Sequence, residues 1–479
     1  MRLFEILSCV LVLVSSSLLL MPAALKLSAW RLFCVNALMS MAVVIHLIHE
    51  GPHWQMLPLY LACIVLLISG FTWKGHSKQL TTVMVVSTIM LVAGCASFSR
   101  LFPMFRLPKP TGPAAVGTRI LHIVDQNRVE SDGYSPSGKR ELIIQVWYPA
   151  EPSRADHLAI YQRRKEVTLR ASYRSVLRTN SYEDAAILHG GPYPVLLYNP
   201  GWMGERTEGT YQMEELASHG FIVVAVDHTF YGGLVEFPDG HIADSHSAPA
   251  LGNFENSNVQ QQWALGDKFV RIEAQDDVTV LDHLEAMNQD PHSPWFQKID
   301  LNHVGAMGFS IGGAVAAQVA FQDHRVRAAL NLDGWTFGDV ASQGLAKPMM
   351  VIYEDKSQTL PTPVQLSSGP LASQYFWETS ATDFAHVSQS LQTNGGFLLF
   401  IAGTRHVDFT DRALFSPLIS ITGGGSLAPE QTHAIVNRYT LAFFSQELKG
   451  SHEPLLNAVP SPFSEVEFRR FPARNQPGH

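Results

Sequence analysis

Beyond residue 95 this chain of 479 residues contains no cysteine; all four, Cys9, Cys34, Cys63 and Cys95, fall in its first fifth. The rest can therefore form no disulfide and offer no thiolate to a metal, and such a domain is at ease in an oxidising compartment. An excess of positive charge is also missing. The 34 Lys and Arg against 42 Asp and Glu leave a formal net charge of -8, and without a basic stripe to neutralise phosphates a nucleic-acid partner is not expected. Charge of either sign is absent from residues 6–25, 32–48, 56–73 and 80–98. Each stretch is about the length a helix needs to cross a bilayer. A signal peptide would explain one of them but not four, and buried helices of a soluble bundle would show polar faces. An α-helical transmembrane domain of about four spans is therefore expected over residues 1–98, its second span the most polar because it holds Asn36 and His46.

Charge decides the orientation only narrowly. Lys26 and Arg31 follow the first span and Lys74 and Lys78 the third, whereas Arg2, Arg100, Arg106 and Lys109 belong to the opposite side. The count is even, but large domains translocate largely regardless of charge. Together with the missing cysteines this favours an integral protein of the cell membrane with its large domain outside the cytoplasm. Pro103, Pro108, Pro110 and Pro113 make residues 99–117 an extended linker, so the large domain is expected over residues 118–479.

Short apolar, often β-branched runs at 142–148, 195–198, 221–226, 304–309, 328–332, 349–353 and 397–401 read as strands, several of them apolar on both faces as in a covered parallel sheet. Helical patterns at 211–218, about 260–287, 311–321 and 429–448 lie between and after them. This alternation implies a doubly wound, mostly parallel α/β sheet with functional residues on loops at the strand ends. Residues 229–258 and 356–387 read as long loops that can act as lids or pocket walls.

The most specific motif is Gly308-Phe309-Ser310-Ile311-Gly312, with an apolar run before it and a helix-forming stretch after it. This is a nucleophile elbow in a strand–turn–helix setting. A serine hydroxyl is a poor nucleophile near neutrality, so a histidine must take its proton and a carboxylate must orient that histidine. The strand at 328–332 runs into Asp333-Gly334-Trp335, and the strand at 397–401 runs into Ala402-Gly403-Thr404-Arg405-His406. The order Ser310, Asp333, His406 is that of an α/β-hydrolase. Asp355, after the strand at 349–353, is the competing acid, while Asp408 and Asp411 are expected to orient the histidine loop. An oxyanion hole needs the amide of Ile311 and a second amide from Asn199-Pro200-Gly201-Trp202-Met203-Gly204; proline has no N–H, which leaves Trp202 or Met203, with Trp202 preferred. Phe309 and Trp335 adjoin these elements and are expected to bind substrate. No metal or cofactor is expected, because the triad supplies the base and no His, Cys and Asp cluster has metal-ligand spacing.

The segment 199–228, with Leu216-Ala217-Ser218-His219-Gly220-Phe221-Ile222-Val223, resembles the platelet-activating-factor acetylhydrolase family. So do Gly308-Phe309-Ser310-Ile311-Gly312-Gly313, Leu332-Asp333-Gly334-Trp335 and Gly403-Thr404-Arg405-His406. The resemblance covers most of residues 118–450; the stretch 437–450 also resembles the closing helix of dienelactone-hydrolase-like proteins. It implies an α/β-hydrolase that removes short or oxidised acyl groups from phospholipids without calcium, and it supports Asp333 over Asp355. The chain departs from the family pattern at Pro200, where a histidine is usual, and in its apolar N-terminal region. The expectation is a membrane-anchored serine esterase acting on a lipid or small ester. A carboxylesterase of small soluble esters and an inactive hydrolase-fold membrane sensor are the alternatives.

Overall fold

The computed structural model describes residues 2–20, 29–72, 77–245 and 257–472. By internal contacts the chain divides into two units: Met1–Arg106 with Ile160–Arg178 and Leu414–Leu418, and Leu107–Ala159 with Thr179–Ala413 and Ile419–His479. The division falls within the proline-rich segment.

The first unit is built on four helices, α1 (Leu3–Leu18), α2 (Ala29–His49), α3 (Leu57–Thr72) and α4 (Lys78–Leu101). α1 and α2 run antiparallel: the Ser15 hydroxyl meets Asn36 Oδ1 at 2.6 Å near one end, and the Arg2 guanidinium reaches the Glu50 carbonyl at the other. Asn36 and His46 of the second apolar stretch thus have partners, in Ser15 and Tyr60 respectively. Val12, Met39, Met56, Leu59 and Cys95 fill the interior. Ile6, Met41, Ile48, Ile64 and Met90 are nonetheless exposed, so these helices are apolar outside as well as inside.

Among the described residues two helical stretches, Leu32–His49 and Lys78–Leu101, are long and apolar enough to cross a membrane, and Leu3–Leu18 and Trp54–Ser69 are shorter. The expected four spans are thus matched in length by two. α1 ends ahead of Pro22, which cannot continue a helix. Its last turns carry Ser16 and Ser17, whose hydroxyls bond back to the Leu13 carbonyl and compete with the helix ladder. At 16 residues it rises only about 24 Å. The tail of the first charge-free stretch, residues 21–25, lies outside the described residues.

The second unit is organised by a twelve-stranded sheet. Its main strands are β1 (Ala115–Val129), β2 (Lys139–Glu151), β3 (Tyr193–Asn199), β4 (Ile222–Asp227), β5 (Ile299–Phe309), β6 (Val326–Leu332), β7 (Met349–Tyr353), β8 (Gly396–Ile401) and β9 (Val466–Phe471). They lie in the order β9-β8-β7-β6-β5-β3-β4-β2-β1, and shorter strands continue past β1. Pairing is parallel from β4 through β3, β5, β6 and β7 to β8, and antiparallel at both flanks. Helices α5 (Thr210–Ser218), α6 (Val259–Gln289), α7 (Ile311–Gln322), α8 (Leu371–Asn394) and α9 (Pro429–Lys449) accompany it. The parallel strands are largely buried, Val195, Val224, Val304, Leu330 and Val351 among them, which is why they read as continuous apolar runs.

All seven expected strands are present, most of them longer by a few residues. β1 and β9, toward opposite ends of the sheet, were not expected, because both are interrupted by charged residues and show no continuous apolar run. The region 356–387 is helical rather than an irregular loop: Lys356–Thr359 and Pro363–Ser367 are short helices that lead into α8. In 229–258 the strands Val235–Glu236 and Ile242–Ala243 pair with each other, and residues 246–256 lie outside the described residues.

Candidate active site

Ser310 stands between β5 and α7 with φ 56° and ψ -127°. A non-glycine residue held there stores on the order of 1–3 kcal/mol of strain, which the flanking glycines make attainable. A Cβ on Gly308 would run into the Gly312 carbonyl, and one on Gly312 into the Asn199 carbonyl. The Ser310 amide donates to the Leu332 carbonyl at 2.8 Å, which anchors the turn to the neighbouring strand.

Asp333, also in the left-handed region at φ 57°, follows β6 directly. Its amide donates to the Ile352 carbonyl, and its Oδ1 accepts the Glu354 amide at 2.8 Å. Its Oδ2 lies 2.6 Å from His406 Nδ1, and His406 Nε2 lies 3.0 Å from Ser310 Oγ. Three residues spread over 96 positions thus form one hydrogen-bonded line at the carboxyl ends of β5, β6 and β8. The imidazole is 45 % exposed and Asp333 5 %, so the ring faces solvent while its carboxylate partner is shielded.

Asp355, the competing acid, is turned away. It accepts the amides of Ser357 and Gly403, which hold its carboxyl below the usual range, and so braces the histidine loop from outside. Asp408 accepts the amides of Arg405 and Gly425 and so fixes the histidine loop, whereas Asp411 accepts those of Thr210 and Tyr211 and caps the first turn of α5.

Glu354, which the sequence did not single out, is the carboxyl packed against the triad. It accepts the His406 backbone N–H at 2.8 Å. Burial, reinforced by the charge of Asp333, pushes it up to about 9. In the loop 199–204 the Gly201 amide donates to Glu208 Oε1 at 2.5 Å and that of Met203 to the Tyr231 carbonyl at 3.3 Å. The amides of both Gly201 and Met203 are therefore committed elsewhere, and Trp202 and Ile311 both line the cavity beside Ser310. Glu208 is buried and pushed up to about 7 by desolvation; it too was missed.

The cavity in front of Ser310 has a volume of about 660 Å³. Trp202, Trp335 and Phe337 form part of its wall, and α8 adds Phe376 and Trp377, with Asp383 and Gln262 as polar groups. Asp383 accepts the Thr336 amide and hydroxyl, and burial pushes it up to about 7. Trp335, expected to bind substrate, lies in this wall. Phe309 does not: it is 4 % exposed and its ring packs 4.5 Å from that of His406. Phe309, at the end of β5, thus packs against the imidazole and is not part of the cavity wall.

A mostly parallel sheet of this order, carrying a strained serine on a strand–helix elbow beside a histidine–carboxylate pair, is the architecture of an α/β-hydrolase. Residues 100–237 and 273–455 match the family model described as platelet-activating factor acetylhydrolase, isoform II, and the chain belongs to that family. It is 25% identical over 403 residues to a probable 1-alkyl-2-acetylglycerophosphocholine esterase of Arthroderma benhamiae, covering 76% of this chain and 94% of the relative. It is 24% identical to the platelet-activating factor acetylhydrolase of Cavia porcellus over 71% of this chain and 78% of that protein. Among solved structures, a ferulic acid esterase from Streptomyces cinnamoneus superposes with a TM-score of 0.58 at 28% identity, covering 76% of this chain and 99% of the other. The chain is an ester hydrolase.

Proposed function

We propose that this esterase works through an acyl-enzyme on Ser310, and the observation that carries the reading is the unbroken line from Ser310 Oγ through His406 to Asp333. His406 Nε2 takes the hydroxyl proton as Oγ attacks the ester carbonyl. Asp333 holds the ring in the tautomer that can accept it and stabilises the imidazolium. The amides of Ile311 and Trp202 receive the oxyanion; that of Ile311 is at the first position of α7, where a helix leaves its N–H groups unpaired. His406 then protonates the departing alkoxide, activates water, and the acid leaves with Ser310 restored.

The substrate proposed is a phospholipid with a short or oxidised acyl group, supported by the family and by the relatives' names. Helices apolar on both faces, two of them long enough to cross, support an anchor that holds the enzyme at the bilayer, with the hydrolase unit outside the cytoplasm. A second reading has its own support: a 660 Å³ aromatic cavity and a ferulic acid esterase neighbour suit bulkier soluble esters. A fluorophosphonate probe should label the wild type and not Ser310→Ala, whose turnover should fall on the order of 10⁶-fold. Labelling or turnover retained by that variant would overturn Ser310 as the nucleophile, and a wild type with neither would favour a scaffold or sensor.

A further inference from the structure

The first unit gathers four residues with metal-binding side chains at one end of its helices, a grouping that ester hydrolysis does not use. Glu5 lies in the first turn of α1, His46 in the last turn of α2 with Glu50 just past its end, and His53 follows in the turn before α3. Ligand atoms of Glu5, His46 and Glu50 lie within 4.8 Å of one another. The side chains of Glu5 and His46 are fully buried, that of His53 is 1% exposed and that of Glu50 11%. His53 Nε2 points at Glu5 Oε1 from 3.6 Å and has no hydrogen-bond partner.

Both imidazoles are held from behind. His46 Nε2 is 2.7 Å from the Tyr60 hydroxyl, which leaves Nδ1 toward Glu50 at 2.9 Å. His53 Nδ1 is 3.2 Å from the Gly51 carbonyl, which leaves Nε2 toward Glu5. An outer partner on one ring nitrogen and an inward-facing second nitrogen is how metal-ligating histidines are oriented. Charge gives an independent reason. The basic side chain in the cluster is Arg2, which donates to Glu5 Oε1 at 2.6 Å and to the Glu50 carbonyl at 2.6 Å. One cationic side chain thus faces two carboxyls, Glu5 and Glu50, in a partly buried setting that can accept a further positive charge.

We infer that Glu5, His46, Glu50 and His53 form a binding site for a divalent transition-metal cation that ties α1 to the α2–α3 turn. Two imidazoles and two carboxylates suit zinc, whose bonds of about 2.0–2.2 Å require the four side chains to draw inward. Arg2 then yields Glu5 Oε1 and keeps the Glu50 carbonyl. The role is structural and separate from Ser310.

The full chain, purified in detergent with a tag that contains no histidine and stripped with a chelator, is titrated with zinc by calorimetry; metal content is read by mass spectrometry. One zinc per chain is expected, with affinity lowered at least tenfold in His53→Asn and Glu50→Gln. Tyr60→Phe, which removes only the outer partner, should weaken binding about 10–100-fold while helicity by circular dichroism stays as in the wild type. Ester hydrolysis should survive the chelator, which separates this site from the esterase reading. No saturable zinc in the wild type, or equal affinity in all three variants, would overturn the site and leave a protonated histidine as the balancing charge.

Discussion

His406 and Asp333 meet at 2.6 Å although 73 residues of chain separate them, while Asp355, only two residues past the end of β7, faces away and braces Gly403. The two carboxylates should therefore answer differently to the same change. Asp333→Asn is expected to lower turnover on the order of 10⁴-fold, because the amide stabilises the wrong histidine tautomer. Asp355→Asn keeps an acceptor for the Gly403 amide and should cost less than about tenfold. Measuring kcat for both against one soluble ester decides it; the reverse ranking would give the acid's role to Asp355.

Glu354 makes the site sensitive to pH through the fold. Its folded value of about 9 lies above the ordinary 4.5, so the native state keeps a proton that the unfolded chain releases as pH rises past 4.5. Its burial therefore costs nothing below that pH and costs progressively more up to about 9. Glu354→Gln keeps an acceptor for the His406 amide but cannot ionise. The variant should melt close to wild type at pH 4 and above it at pH 8, by several degrees. An unchanged difference between the two pH values would show that Glu354 is ionised in the native state.

Much of this arrangement is legible in the sequence because parallel strands buried on both faces leave apolar runs, and in this fold function follows such runs. Ser310, Asp333 and His406 each stand just beyond one. What escapes is set by contacts distant in sequence. The adjacent carboxylates Glu354 and Asp355 turn opposite ways, one under His406 and one outward, and nothing local decides which. α8 is obscured by Pro361, Pro363, Gly369 and Pro370 just ahead of it, although it supplies Phe376 and Trp377 to the cavity. Glu5 and His46 are 41 residues apart and meet only because α1 and α2 run antiparallel.

The proposed anchor and its direction can be tested together. If the helices hold the chain in the bilayer, it should stay in the membrane fraction after alkaline carbonate washing. If the hydrolase unit lies outside, protease added to intact cells should digest residues beyond about 107 and leave the helices protected. Release by carbonate would remove the anchor; digestion only after lysis would reverse the orientation.

Substrate length separates the two ester readings. Trp202 and Trp335 stand in the cavity wall beside Ser310, and Trp202 is wedged edge-on against buried Phe269 at 4.7 Å, so it cannot swing aside without disturbing the core. A phospholipid presented at the bilayer need lift only a short or polar acyl group past this wall. A long chain must leave hydrocarbon at about 0.8 kcal/mol per methylene unless the protein rebinds it. Turnover is therefore expected to fall steeply from acetyl to palmitoyl phospholipids, and to survive calcium chelation because each proton in the proposed cycle is carried by His406. Trp202→Ala should relax the preference by opening the wall, raising long-chain relative to acetyl turnover about tenfold or more. Equal rates on acetyl and palmitoyl substrates in the wild type would refute a short-acyl pocket, and turnover confined to soluble aryl or hydroxycinnamoyl esters would favour the bulkier-ester reading.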